Sequence, residues 1–328
     1  MSLRLLGKIP EQSARAATLN SFKRSLVLTL IGANVWHLSV CRFGVTQAIE
    51  MIPTSELTAD ALGGFLAAEM SRRCGASQPR LTELVPFAAQ LALECIANSD
   101  ALYHDVQHTM LVTLAGHDIF VGRALVVRSN PTDYAHLIVA CLMHDIGYVR
   151  GILKDDSVDG YVIDASGRKV GLPRGSSDAA LMPYHVDRSK LFALDRLHEL
   201  DAERIARAIE HTRFPINAGE SESDRSEEGS LLRAADLIGQ LGDPHYLRTS
   251  NALFHEFEEV GLNKQFGYET PADLVDKYPQ FYWNMVSPHI QSAIRYLNVT
   301  SRGRQWIANL YSNVFRAERE VRLSGPQP

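Results

Sequence analysis

Apolar positions in this chain recur mainly at three- and four-residue intervals, the period of a helix with one buried face. Thr58 to Arg73 carries Leu62, Phe65, Leu66 and Met70 on one stripe, with Thr58 as the predicted N-cap and Gly75 just past the end. A second helix is predicted from Glu83 to Asn98, with Leu84, Phe87, Leu91 and Cys95 on its buried face. Its Pro86 falls in the predicted first turn, where a missing N–H breaks no internal bond. The apolar run from His136 to Met143 reads as a buried helix. Between Asp155 and Asp178 the pattern changes to Gly, Asp and Ser, and the alternation from Tyr161 to Val170 predicts a small hairpin. Residues 217–230 are polar and predict a solvated loop. The expected fold class is therefore all-α, a helical bundle with a small β-hairpin insertion.

Composition narrows the function classes. With 328 residues, 45% hydrophobic and 22% charged, the chain has material for one large domain with an extension, or for two domains, and disorder is excluded. A net charge of −5 from 33 basic and 38 acidic residues gives no field for a polyanion, so no nucleic-acid partner is expected. Acid is concentrated at 220–229, where Glu220, Glu222, Asp224, Glu227 and Glu228 face a lone Arg225. Cys41, Cys74, Cys95 and Cys141 stand singly with no CxxC pair, which reads as reduced thiols in a cytoplasmic protein and excludes a disulfide framework. Near the start, Arg4, Lys8, Arg15, Lys23 and Arg24 precede an uncharged stretch from Ser25 to Cys41, which resembles a signal anchor. That stretch is 17 residues long and contains Asn34 and His37, so a buried element is expected there and no membrane contact.

The twelve histidines change the picture, because several have spacings that metal chemistry uses. Tyr103-His104-Asp105-Val106-Gln107-His108 begins a predicted helix with Ser99 or Asp100 near its cap, and the four-residue spacing places both imidazoles on one face. His144-Asp145 ends the buried apolar run, a pairing suited to a divalent cation, with the carboxylate able to bridge two. The second His-Asp pair, His117-Asp118, is expected to be structural. Nine residues past His108, at about 100° per residue, it lies on the opposite face of a continuous helix. Asp236 sits in a small, apolar helical context, Arg233-Ala-Ala-Asp236-Leu-Ile-Gly, where an unpaired carboxylate is costly to bury and a metal resolves the cost. His108, His144, Asp145 and Asp236 together make a set fit for Mg, Mn, Fe or Zn.

The order His, His-Asp, Asp over 108 to 236 resembles the HD superfamily of metal-dependent phosphohydrolases, and within it the catalytic domain of class I cyclic nucleotide phosphodiesterases. Tyr103, His104 and His108 match a Tyr-His-Asn-x-x-His opening, with Asp105 in place of Asn. His144-Asp145, the stretch Leu181 to Ser189, Ala235-Asp236-Leu237, Glu256-Phe257 and Arg304-Gln305-Trp306 continue the likeness, which covers about 100–315. The resemblance implies an all-helical HD domain, expected at 80–320, preceded by a helical extension at 1–79 and followed by a tail at 321–328. It implies two divalent metal ions, with His108, His144, Asp145 and Asp236 holding the first, Asp145 reaching the second and His104 acting as general acid.

The likeness has departures. Tyr148 stands where the family has a further histidine, and His185 and His211 are the candidates to compensate, as in HD-GYP cyclic dinucleotide hydrolases. For substrate binding the candidates are Tyr103, Arg188, Gln280 and Phe281, the last two by analogy with a family base pocket. Arg168, Lys169 and Arg174 read rather as a solvated hairpin face. The expected function is hydrolysis of a small phosphoester, a cyclic nucleotide phosphodiester, by metal-activated water. Its rivals are a nucleotidase, a cyclic dinucleotide hydrolase and an idle nucleotide-sensing module. The reading also allows a homodimer.

Overall fold

In the computed structural model, which describes residues 53–75, 77–215 and 227–324, helices α1 (Thr54–Cys74) and α2 (Pro79–Ile96) pack against each other. The Ser25–Cys41 segment and most of the acidic stretch lie outside the described residues. Helix α1 ends as expected, at Gly75 with a positive φ of 53°, but it starts a turn earlier than Thr58, after Pro53. Helix α2 also starts earlier, with Pro79 in its first turn, so Pro86 lies inside the helix. The buried face of α2 is not the expected one. Val85, Ala88, Ala89, Ala92, Leu93 and Ile96 face the core, because a run of alanines lets the neighbouring helices approach closely.

Helix α3 (Val106–Ala124) and helix α4 (Pro131–Met143) form the centre. Asn130 and Asp133 close α4 with a reciprocal capping box around Pro131. Every residue of α4 from Tyr134 to Met143 is buried, and α2, α3, α6 (Ala202–Glu210) and α7 (Glu227–Leu241) surround it. Burial of each large aliphatic side chain here contributes about 1.5–3 kcal/mol. Helix α7 takes in residues 227–230, so the expected loop ends before Glu227. Gly239 on α7 lets it approach α3 closely, since an added Cβ would sit 2.7 Å from the backbone of Val112.

After α4 come a short 3₁₀ turn (Ile146–Tyr148) and the hairpin, where β1 (Tyr161–Val162) pairs antiparallel with β2 (Lys169–Val170), Tyr161 opposite Val170. A 3₁₀ segment (Asp178–Tyr184) then leads into α5 (His185–Arg196). Among the described residues the fold is all-α with one small hairpin, as expected. Helices α8 (Tyr246–Glu259), α9 (Leu262–Phe266), α10 (Pro271–Asp276), α11 (Tyr278–Phe281), α12 (Ser287–Leu297) and α13 (Ser301–Ser324) complete the chain. The described residues form one compact unit that includes α1, which the sequence assigns to the extension. Among the described residues no helix is long and apolar enough to cross a membrane.

Candidate metal centre

Asp105 caps α3, its carboxylate accepting from the His108 N–H at 2.9 Å. The helix therefore starts later than Ser99 or Asp100 suggests, because Asp105 is itself an excellent cap. Asp100 instead pairs with Arg150 at 2.6 Å. His104 precedes the cap, yet its ring centre stays 5.3 Å from that of His108. His117 lies on the far side of α3, buried, with Nδ1 2.9 Å from the Tyr134 hydroxyl. Asp118 accepts from Trp306 Nε1 at 2.9 Å and pairs with Arg302 at 3.2 Å, so this second His-Asp pair anchors α13.

Four donor atoms converge where α3, the end of α4 and α7 meet. His108 Nε2 lies 3.1 Å from Asp145 Oδ2 and 3.4 Å from Asp236 Oδ1. His144 Nε2 lies 3.1 Å and 3.6 Å from the same two oxygens. None of these approaches is aligned as a hydrogen bond: His108 Nε2, His144 Nε2 and Asp145 Oδ2 are buried without a hydrogen-bond partner. Each such atom costs about 1–3 kcal/mol unless something satisfies it. The Nδ1–H of His144 donates to the Cys141 carbonyl at 2.8 Å, which directs Nε2 at the carboxylates. Two imidazole nitrogens and two carboxylate oxygens suit a divalent cation.

The charges are strongly coupled. Burial opposes the imidazolium of His108, but Asp145 and Asp236 outweigh it and push the group up to about 9. His144 is raised in the same way, against burial and by the same two carboxylates. Burial works against both carboxylates, yet the paired imidazoles hold Asp145 and Asp236 well below the usual range. The cluster is thus a preformed pair of anions balanced by protons that a cation can replace.

The other oxygen of Asp145 faces a second group. His185, the first residue of α5, has Nε2 3.6 Å from Asp145 Oδ1, and its Nδ1–H donates to the Met182 carbonyl at 2.6 Å. The Tyr148 ring is stacked between His104 and His185, 4.5 Å from each ring centre. Gly147 permits this arrangement, because an added Cβ would overlap the carbonyl of His185. The donor atoms of His104, His108 and Asp145 lie within 4.8 Å of one another, as do those of His108, His144 and Asp236. His104 Nδ1 meets buried Glu256 Oε2 at 2.5 Å, while Glu256 Oε1 accepts the backbone N–H groups of Tyr103 at 2.7 Å and His104 at 3.2 Å. Burial disfavours the His104 imidazolium, but Glu256 more than offsets it and raises the group above its ordinary value.

A cleft of about 1120 Å³, counting the part open to solvent, opens from this centre. His104, Asp145, His185, His211 and Asp236 line it. His211 follows α6, packed against Gly229, and belongs to neither group of converging donors. Phe257, Phe266, Tyr268 and Phe281 also line the cleft.

Three expected substrate contacts are not in that wall. Arg188 is wholly buried, and all five of its N–H donors are used on Asp156 and the carbonyls of Gly147, Val149 and Val162. It ties the hairpin insertion to the core. Tyr103 is buried behind the histidines with Leu253, Phe254 and Leu274. Gln280 is exposed, whereas Gln240, one helical turn after Asp236 on α7, lines the cleft. The i, i+4 relation to Asp236 was the sequence signal for Gln240. Arg168 lies in solvent, paired with Asp164 at 2.5 Å.

A family model described as Npun_R2479-like matches residues 52–320, which takes in all the residues of the centre and its cleft. No curated protein and no solved structure matches the chain. By the extent of that match the chain belongs to the Npun_R2479-like family.

Proposed function

We propose that this protein is a metal-dependent phosphohydrolase of the HD type, acting on a phosphodiester in a cyclic nucleotide. The reading rests on one observation above all: three buried donor atoms of His108, His144 and Asp145, lacking hydrogen-bond partners, converge with a fourth from Asp236, each imidazole nitrogen lying 3.1 Å from Asp145 and 3.4 or 3.6 Å from Asp236. His108, His144, Asp145 and Asp236 would hold one divalent ion, and Asp145 with His185 would share a second. Such ions supply Lewis acidity toward a phosphoryl group and make water more acidic.

The chain's own residues do the rest. Glu256 fixes His104 at Nδ1 and favours its protonated form, leaving Nε2 to give a proton to the leaving oxygen. Tyr148, stacked against His104 and His185, covers their ring faces, and burial keeps its hydroxyl neutral. The net charge of −5 does not attract an anionic substrate from a distance, so attraction must be local.

Metal analysis of the purified protein, followed by a panel of cyclic mononucleotides, cyclic dinucleotides and nucleoside monophosphates, tests this reading. A 5′-monophosphate released from a 3′,5′-cyclic nucleotide is the expected product. Inorganic phosphate from a nucleoside monophosphate would make it a nucleotidase, and no turnover by metal-replete protein on any of the panel would end the hydrolase reading.

A further inference from the structure

Away from the His/Asp cluster, helix α13 carries an aromatic and basic face. Positions 304, 308, 311, 315 and 319 recur at three- and four-residue intervals, so they form one stripe along the helix. Arg304, Ala308, Tyr311, Phe315 and Arg319 occupy it, and all five are exposed. Phe315 is 62% exposed and Tyr311 36%. Trp283, 45% exposed on the turn Tyr282–Val286, is stacked on Tyr311 with ring centres 6.1 Å apart, which widens the aromatic strip. Single exposed apolar residues are ordinary, but three large aromatic side chains on one face mark an interaction surface.

The exposed charge on this face is of one sign. Arg304 donates to the Asn298 carbonyl at 3.0 Å and the Ser301 hydroxyl at 3.3 Å, and Arg316, beside Phe315, donates to the Pro244 carbonyl at 3.2 Å. Neither these two nor exposed Arg319 pairs with a carboxylate among the described residues, and Glu318 is half-buried. A second copy of the chain is a poor occupant. An antiparallel pair that seats Phe315 opposite the small Ala308 also sets Arg304 opposite Arg319, like charges at both ends of the contact. A partner helix seeks a groove, whereas Trp283, Tyr311 and Phe315 line no part of the cleft and project from the surface.

An anionic lipid surface matches both properties. Tyr and Trp have an apolar body and a polar tip suited to the headgroup level, and guanidinium matches phosphate and carboxylate geometry. The net charge of −5 does not prevent this, because charges farther than about 8 Å are screened at physiological ionic strength while arginines at the contact are not. We infer that the face formed by Arg304, Tyr311, Phe315 and Arg319, with Trp283 and Arg316 at its sides, seats the protein reversibly on an anionic bilayer surface without crossing it. The inference does not depend on the hydrolase reading.

Flotation of the full chain with phosphatidylcholine vesicles, and with vesicles in which about a third of the lipid is phosphatidylserine, tests it. Binding is expected to the second kind and should fall steeply as salt rises. Arg304→Gln, Arg316→Gln and Arg319→Gln combined should weaken it about a hundredfold, and Phe315→Ser about tenfold. Both variants should melt near wild type, since every altered position is exposed. They leave residues 4–41 unchanged, so equal binding by wild type and both variants would place any lipid contact elsewhere and overturn the inference. Binding that ignores phosphatidylserine content, or no binding to either kind of vesicle, would overturn it too. A concentration-dependent dimer lost in Phe315→Ser, or capture of an acidic amphipathic peptide, without vesicle binding would assign the face to a protein partner instead.

Discussion

Asp145 Oδ1 lies 3.6 Å from His185 Nε2, while Asp145 Oδ2 faces His108 and His144 at 3.1 Å each, so one carboxylate serves two imidazole groups on opposite sides. The two sides are unequal, one holding two imidazoles and a second carboxylate and the other resting on His185. His185→Ala should therefore lower the metal stoichiometry and leave one ion bound, whereas His108→Ala should strip the protein of metal. Elemental analysis after dialysis reads both. Full metal retention by His108→Ala would show that the four converging donors are not the binding site.

His104 takes its orientation from Glu256 rather than from α3. His104→Ala should lower turnover by about 10²–10⁴, the usual range for a general acid, with metal content near wild type. Glu256→Gln keeps the shape and should lower turnover less, with the pH–rate profile shifted to lower pH because the support for the imidazolium is weakened. Loss of metal in His104→Ala would make His104 a ligand, as its place within 4.8 Å of His108 and Asp145 permits.

Gly147 brings α5 against the turn that carries Asp145, and its N–H donates to Ser189 Oγ at 2.9 Å. Gly147→Ala would press a methyl into the His185 carbonyl, so a loss of about 1–3 kcal/mol is expected, as for other overpacked sites. Denaturant unfolding measures that loss, and metal stoichiometry should fall with it because His185 is displaced. A variant as stable as wild type, with its metal intact, would refute the close approach.

His117 gives a pH dependence away from the His/Asp cluster. Burial, with Arg73, Arg302 and Arg72 nearby, brings its imidazole down to about 3. Histidine in the unfolded chain titrates near ~6.5, so the unfolded state takes up the proton first and stability falls as pH drops from about 6.5 toward 3. His117→Gln cannot titrate, and its melting temperature should fall less than that of wild type between about pH 7.5 and pH 5. Parallel curves for the two proteins would contradict a neutral buried His117.

Much of the site was legible from spacing. His108, His144, Asp145 and Asp236 come together as their motifs imply, and the helical period alone separated His117 from them. The hairpin at Tyr161–Val170 was readable from alternation, whereas α4 starts at Pro131, ahead of the apolar run from His136 by which the sequence placed it. Arg188 was misread because a guanidinium near a candidate site looks like a phosphate ligand until its neighbours are known. Its partners come from Gly147, Val149, Asp156 and Val162, well before it in the chain. The buried face of α2 was misread for a related reason. Periodicity finds the large apolar side chains, but α1 and α4 approach through the alanines.

The sequence by itself determined the helical class, the hairpin and the four residues of the His/Asp cluster, because each depends on a short-range period or on chemistry that few residue types supply. Only the tertiary structure decided that Tyr148 is stacked between His104 and His185, that Glu256 orients His104, and that Gln240 rather than Gln280 faces the cleft. Those placements depend on how helices far apart in the chain pack together, and no local pattern encodes which face of α7, α8 or α11 a neighbour will cover.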